Sequence, residues 1–353
     1  MKVVAIGGGT GLAVLLRGLK QYVSAGTPVV EPAITQLTAV VTVTDEGGSS
    51  GRLRRDFGML PPGDIRNCLV ALAEDEKILT RLFNYRFSAG GGLRGHSLGN
   101  LFLTALTNLT GDFSMAVRLA SEVLAVRGEI FPATLADVHL RALLANGKRV
   151  EGEARIHKTK LPIRRLSIVP ERCRPMPETL KAIAEADLIT LGPGSLYTSL
   201  LPNLLVSRIP QQIARSKAAK IYIGNLMTQP GETRGYTAAD HLQAILHHVG
   251  KNLFDFAVLN SRAFPGSMRR RYAAEGAEPV VNDLTRIREL GVSPVCVPLL
   301  QAEDDVARHD SQRLARLLLD LAARRPRRSG TVHAPNKMPS AASYPARLVN
   351  SAK

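Results

Sequence analysis

Tryptophan is absent from this 353-residue chain, and aromatic residues make up only 5% of it. Platforms that stack single-stranded nucleic acid depend on aromatic rings, so that class of activity is disfavoured. Cysteine is scarce as well: Cys68, Cys173 and Cys296 are odd in number and far apart. A disulfide framework and a cysteine-rich zinc site are thereby excluded, and three buried free thiols in a reducing cytosol are expected. No apolar run approaches the roughly 20 residues that a membrane-spanning helix needs. The opening MKVVAIGGGTGL has too short an apolar stretch for a secretory signal and reads as a first strand. A cytoplasmic chain with no membrane span is the expectation.

Acidic residues are missing from one region, Leu321–Lys353, which carries seven Lys or Arg. Those seven account for part of the net charge of +16 and leave +9 for the rest of the chain. Pro326, Pro335, Pro339 and Pro345 punctuate the same stretch among Ser and Ala. Residues 324–353 therefore read as a disordered, solvated basic tail, with a polyanion-binding arm as the other reading. Nucleic acid is not expected as the main partner, and a homo-oligomer is compatible with everything in the sequence.

The chain as a whole is 45% hydrophobic and 22% charged, the composition of a folded protein, and residues 1–323 are expected to form its body. Strand-like runs alternate there with helical patterns, which predicts one α/β domain: a doubly wound, mostly parallel, Rossmann-like sheet with helices on both faces. Strands are expected at Lys2–Ile6, Leu37–Val43, Asp187–Leu191, Lys220–Ile223, Phe254–Leu259 and Val292–Val297. Helices are expected at Leu12–Val23, Ile65–Phe83, Ser97–Leu109, Phe113–Val126, Glu178–Ala186, Val206–Ala214, Ala238–Val249 and His309–Ala323. The rhythm breaks at about 134–160. There two half-apolar runs flank Asn146-Gly147, a pair suited to a turn with φ > 0 at both positions, and predict a β-hairpin insertion.

In such a sheet ligands bind where the carboxyl ends of strands meet helix N-termini. The first strand ends in Gly7-Gly8-Gly9-Thr10-Gly11, which either cradles a phosphate or is simply a tight turn, with Thr10 placed to cap the next helix. The second ends in Thr44-Asp45-Glu46-Gly47-Gly48-Ser49-Ser50-Gly51-Arg52, combining carboxylates for a cation or ribose hydroxyls, a glycine–serine nest for an anion, and arginine for phosphate. Pro61-Pro62-Gly63-Asp64-Ile65-Arg66-Asn67 follows, where Asp64 reads equally as a helix cap or a site residue. In Gly95-His96-Ser97-Leu98-Gly99-Asn100, Ser97 caps a helix while His96 and Asn100 flank its start. Gly192-Pro193-Gly194-Ser195 and Gly224-Asn225-Leu226-Met227-Thr228 end two later strands. Small and polar residues at four strand ends of one sheet fit a nucleotide or nucleotide-sugar ligand. A nicotinamide dinucleotide is disfavoured: Leu12 stands where the fingerprint's third glycine should be, and Asp45 lies 34 residues past Gly11, where about 20 is usual.

At these motifs the chain resembles the gluconeogenesis factor family, bacterial cytosolic proteins that bind UDP-sugars and are similar in fold to 2-phospho-L-lactate transferase. The resemblance runs from residue 1 to about 310 and rests on six motifs in order: Gly7–Leu12, Thr44–Arg55, Pro61–Asn67, Gly95–Asn100, Gly192–Ser199 and Gly224–Thr233. It implies a UDP-N-acetylglucosamine-binding factor needed for cell shape and wall synthesis under gluconeogenic growth, with no required cofactor. The alternative it implies is a transferase that moves a phospho-group from a nucleotide-activated donor with Mg²⁺, for which Asp45 would be the metal ligand. The ligand-binding set on either reading comprises Gly8, Gly9, Thr10, Gly11, Asp45, Gly47, Gly48, Ser49, Ser50, Arg52, Asp64, Asn67, His96, Asn100, Gly192, Gly194, Ser195, Asn225 and Thr228. One departure stands out: the family usually carries two adjacent aspartates where this chain has Asp45-Glu46.

Overall fold

The computed structural model describes residues 1–24, 33–74, 76–159, 161–303 and 306–324. In chain order the elements are β1 (Lys2–Gly7), α1 (Gly9–Lys20), β2 (Gln36–Val41), α2 (Gly48–Phe57), α3 (Gly63–Leu72), α4 (Glu76–Asn84), α5 (Leu98–Thr110) and α6 (Phe113–Val123). There follow β3 (Glu129–Pro132), β4 (His139–Leu144), β5 (Arg149–Glu151), α7 (Glu153–His157), β6 (Ile163–Val169), α8 (Pro177–Glu185) and β7 (Leu188–Leu191). A π-helical turn, Leu196–Leu200, runs into α9 (Leu201–Leu205), and then come α10 (Ile209–Arg215), β8 (Ala219–Ile223) and α11 (Ala238–Val249). The last elements are β9 (Phe256–Asn260), α12 (Gly266–Ala274), α13 (Leu284–Glu289), β10 (Ser293–Val297), β11 (Leu300–Glu303), β12 (Val306–His309) and α14 (Ser311–Ala323).

Seven strands form one sheet in the order β10-β9-β8-β7-β1-β2-β3, and every pairing in it is parallel. Covered on both faces, its central strands are continuous apolar runs such as VVAI and LTAVV rather than alternating ones. Helix α1 buries Leu12, Leu15, Leu16 and Leu19 and packs against α3 and α14. Because β1 leads toward β2 and β7 leads the other way toward β8, right-handed crossovers put α1 and α10 on opposite faces. The reversal makes the gap between the carboxyl ends of β1 and β7 the topological switch point, where ligands of this architecture sit.

The expected strands and most expected helices are present, with several corrections. Helix 65–83 is two helices, because Ala73 turns extended (ψ 144) after α3. Helix α1 starts three residues early, at Gly9 with Gly8 as its cap, which leaves Thr10 exposed in the first turn and without a capping role. The hairpin is real, β4 and β5 pairing antiparallel around Asn146-Gly147, but β6 joins β4 on the other side to make a three-stranded sheet. The glycine–serine run after β2 is the first turn of α2 rather than a loop. Cys68 and Cys173 are buried, whereas Cys296 is exposed because β10 is a sheet edge. The basic tail expected at 324–353 lies, beyond Arg324, outside the described residues. Among the described residues no helix is long and apolar enough to cross a membrane.

Candidate functional site

Four loops meet at the switch point. Gly9, at φ +64, turns the chain from β1 into α1, and Gly192, at φ +89, turns it out of β7. Neither conformation suits a residue with a Cβ. The two loops touch backbone to backbone: a Cβ on Gly11 would collide with the Pro193 carbonyl, and one on Gly194 would lie 3.3 Å from Ser199 Cβ and 3.5 Å from the Gly8 carbonyl oxygen. A Cβ on Gly8 would meet Asp64 Oδ2 at 2.6 Å and Thr42 Cγ2 at 2.7 Å. Glycine is therefore needed here for close approach, the property a phosphate-binding turn requires.

Asp64 does not cap α3. Pro62 holds the cap position, and Asp64 sits in the first turn, accepting a hydrogen bond from the Gly9 backbone. Burial first, and then the neighbouring Asp45 carboxylate, push its pKa up to about 7. Asp45 accepts from Gly47 N at 2.8 Å through Oδ1, while its Oδ2 lies over Gly63 together with Ser50 Oγ. Asn100 Nδ2 donates to Ser50 Oγ at 3.4 Å, and Ser97 caps α5 by accepting from Asn100 N. Ser49 Oγ lies 3.0 Å from His96 Nδ1, an imidazole whose pKa is lowered by burial and by Arg52. Gly47 caps α2 and Gly48 opens it, so the start of that helix faces this same cluster. Arg52 turns to the Arg94 carbonyl at 2.7 Å, and Asn67 accepts from Arg66 Nη2 at 2.6 Å.

On the β7–β8 side, Gly194 N donates to Asn225 Oδ1 at 3.4 Å and Gln229 Nε2 to Ser195 Oγ at 2.6 Å. The Ser195 proton is thereby left to point elsewhere. Thr228 pairs with a more distant segment, its N donating to the Glu278 carbonyl and its hydroxyl accepting from Glu278 N. Among the described residues, three buried polar atoms around these loops have no hydrogen-bond partner: Arg66 Nε, Asn100 Oδ1 and Gln229 Oε1. Buried donors and acceptors are rarely left unpaired in a folded protein, so each is an observation that a ligand would explain.

Sequence reasoning left two acids unassigned. Glu232 lies within the motif after β8; its buried carboxylate accepts from Tyr197 N at 3.0 Å and Thr198 Oγ1 at 3.1 Å and faces His157 Nδ1 at 3.0 Å. Glu153 belongs to α7 in the insertion and has no motif around it. Its pKa is pushed up to about 8 by burial and then by Asp45, with Asp64 and Glu232 adding to the effect. Glu46 turns to the insertion: its Oε2 accepts from Glu153 N at 3.1 Å, its Oε1 lies 2.9 Å from His139 Nδ1, and its own N donates to Glu153 Oε2 at 2.9 Å. Its extra methylene over aspartate serves that reach. Among the described residues no group of three or more His, Cys, Asp or Glu is arranged to hold a metal ion, so Asp45 has no preformed cage around it. A separate concavity of about 860 Å³ between α6 and residues 170–177 is lined by Arg118, Arg172 and Arg174, by the acids Asp112 and Glu178, and by hydroxyl and apolar side chains. It contains none of the unpartnered polar atoms and none of the glycine loops.

Residues 3–300 match the family described as 2-phospho-L-lactate transferase CofD. The chain is 48% identical over 320 residues to the gluconeogenesis factor of Bacillus subtilis, covering 91% of this chain and 98% of that one. It is 52% identical over 320 residues to a putative gluconeogenesis factor of a Nostoc species, covering 90% and 68%. A crystal structure of a Bacillus halodurans protein, at 46% identity, superposes with a TM-score of 0.85 over 90% of this chain and 99% of that one. A second crystal structure, titled as a member of the UPF0052 family from the same species, gives 0.84 with the same coverage. Resemblance at six motifs, a shared fold and near-complete coverage agree: the chain belongs to the gluconeogenesis factor family, within the wider CofD family.

Proposed function

We propose that the chain is a nucleotide-sugar-binding factor, with a UDP-sugar such as UDP-N-acetylglucosamine as its ligand. The supporting observation is the meeting of the Gly8–Gly11 and Gly192–Ser195 turns at the switch point, with Ser195, Asn100 and Gln229 offering unfilled hydrogen-bonding capacity beside them. In this reading the main-chain N–H groups of the β1 turn and the Ser195 hydroxyl hold the diphosphate. Asp45, Asn225 and Asn100 take hydroxyls and base edges of the nucleoside. The factor acts in the cytosol on cell shape and wall synthesis when carbon enters through gluconeogenesis, a role that rests on the family. The CofD relationship gives the other reading, a Mg²⁺-dependent phospho-transferase.

Thermal-shift titration against a panel of nucleotide sugars, each with and without Mg²⁺, tests the proposal. A UDP-sugar at 100 times its Kd should add about 2.7 kcal/mol of stability. Stabilisation by UDP-sugars with no turnover across candidate acceptors supports a binding factor. Turnover that requires Mg²⁺ and an acceptor, abolished by Asp45→Asn while nucleotide binding persists, would establish the transferase instead. No shift with any nucleotide sugar would remove the nucleotide-sugar-binding reading.

A further inference from the structure

The three-stranded insertion is fastened at both sides of the site. On the β2 side, Glu46 and Glu153 exchange two hydrogen bonds and Glu46 also reaches His139 at the start of β4. A Cβ on Gly152 would lie 2.5 Å from Glu46 Oε2, so the carboxylate fills the space glycine leaves. Arg54 of α2 fixes the root of the insertion, ahead of β4 and apart from α7, donating to the Val138 carbonyl at 2.7 Å and pairing with Asp137. On the β8 side, His157 at the last position of α7 faces Glu232 at 3.0 Å, and a Cβ on Gly231 would collide with the His157 carbonyl. Glu232 in turn holds Tyr197 and Thr198, the start of the turn that follows the Gly192–Ser195 loop.

The sheet order makes these anchors informative. Between β2 and β8 lie β1 and β7, the two strands of the switch point. At about 4.8 Å per strand the gap from β2 to β8 is roughly 14 Å. Five helical residues cover about 7.5 Å of it, and the Glu46 and His157 side chains make up the remainder. Helix α7 is thus a short strap whose ends are tied to the loops on either side of the mouth, and Glu153 within it is an electrostatic neighbour of Asp45, Asp64 and Glu232.

We propose that the insertion is a strap latched over the ligand cleft by Glu46 at one end and the His157–Glu232 pair at the other, and that these are positioning residues which hold bound ligand in. The proposal rests on the nucleotide-sugar reading for its ligand but not for its latches. A strap tied at two ends opens when either end is released, so the two latches act as one unit, whereas independent stabilising contacts this far apart would add.

The test is a double-mutant cycle of Glu46→Ala and His157→Ala in the full chain, with UDP-N-acetylglucosamine as probe and its dissociation rate as readout. Each single variant is expected to speed dissociation about tenfold, and the double variant about tenfold rather than a hundredfold. Glu46→Gln keeps an acceptor for Glu153 N and should behave as wild type, which separates the latch from general damage. Hydrogen exchange of the ligand-free proteins gives a second arm: both Ala variants should lose protection across residues 139–169 while β1, β2 and β7 keep theirs. Unchanged dissociation in either single variant, or a multiplicative double variant, overturns the strap. If wild type binds no nucleotide sugar, the functional reading fails and the exchange arm alone decides, undiminished protection across 139–169 refuting the latch.

Discussion

At Gly11 an added Cβ would run into the Pro193 carbonyl, a backbone atom that cannot swing aside; at Gly7 the nearest atom is Leu12 Cβ at 3.5 Å, an ordinary contact. Two neighbouring glycines in one motif thus answer differently. Gly11→Ala is expected to cost about 1–3 kcal/mol by forcing the β1 and β7 loops apart. Gly7→Ala, which only narrows the unfolded ensemble, should be neutral or stabilising by up to about 1 kcal/mol. Urea unfolding midpoints at unchanged slope decide it, and equal midpoints for the two variants would contradict the close approach. Asp64 carries the second prediction at this scale. Its carboxyl keeps a proton up to about 7 in the folded chain and releases it near the ordinary 3.8 when unfolded. Between those values the folded state binds more protons, so stability falls as pH rises, by up to about 1.4 kcal/mol per pH unit, and levels off above 7. Asp64→Asn keeps an acceptor for Gly9 N and removes the titration. Its stability profile from pH 4 to 7 should be flatter than wild type, and the variant should be the more stable of the two above pH 7. Parallel profiles would show that Asp64 ionises normally.

Among the elements, those with a clear period were legible in the sequence and those held by tertiary partners were not. Helix α11 has its full signature, Thr237 and Asp240 exchanging hydrogen bonds as a capping box and Gly250 closing it at φ 82, and its expected limits match. Helix α2 opens Gly-Ser-Ser-Gly, residues that favour loops, and its propensity is overruled by the burial of Leu53 and Arg54. Strand β3 is four residues long and ends in Pro132, below the length at which alternation can be recognised; as an edge strand it tolerates the proline. Strand β6 pairs with β4 from 26 residues away at Arg141 and Ser167, a partnership no local pattern announces. The same division holds in the site. The glycine turns were visible because close backbone approach demands glycine itself. Glu153 and Glu232 were not, because their roles depend on where the insertion lands. Asp64 was visible as an acid at a helix start but not as a partner of Gly9, which the crossing of two loops creates.

Over the whole molecule, basic charge is concentrated in one stretch of the sequence. Among the described residues the last helix ends at Ala323, and the family match ends at residue 300. The seven basic residues after Ala323 carry nearly half of the net charge without an acid among them. A chain truncated after Ala323 is expected to unfold at the same temperature as the full chain and, on the proposed function, to bind UDP-N-acetylglucosamine with unchanged affinity. What it should lose is salt-sensitive adhesion to polyanions. Each Lys or Arg released from a single-stranded nucleic acid contributes about 0.7 to the slope of log affinity against log salt, so the truncated chain should elute from heparin at lower salt and show the shallower slope. A fall of several degrees in the unfolding temperature would mean that the tail packs on the body. An unchanged slope would assign the polyanion affinity to the +9 of the folded part, where arginines such as Arg118, Arg172 and Arg174 around the 860 Å³ concavity are the cations to neutralise next.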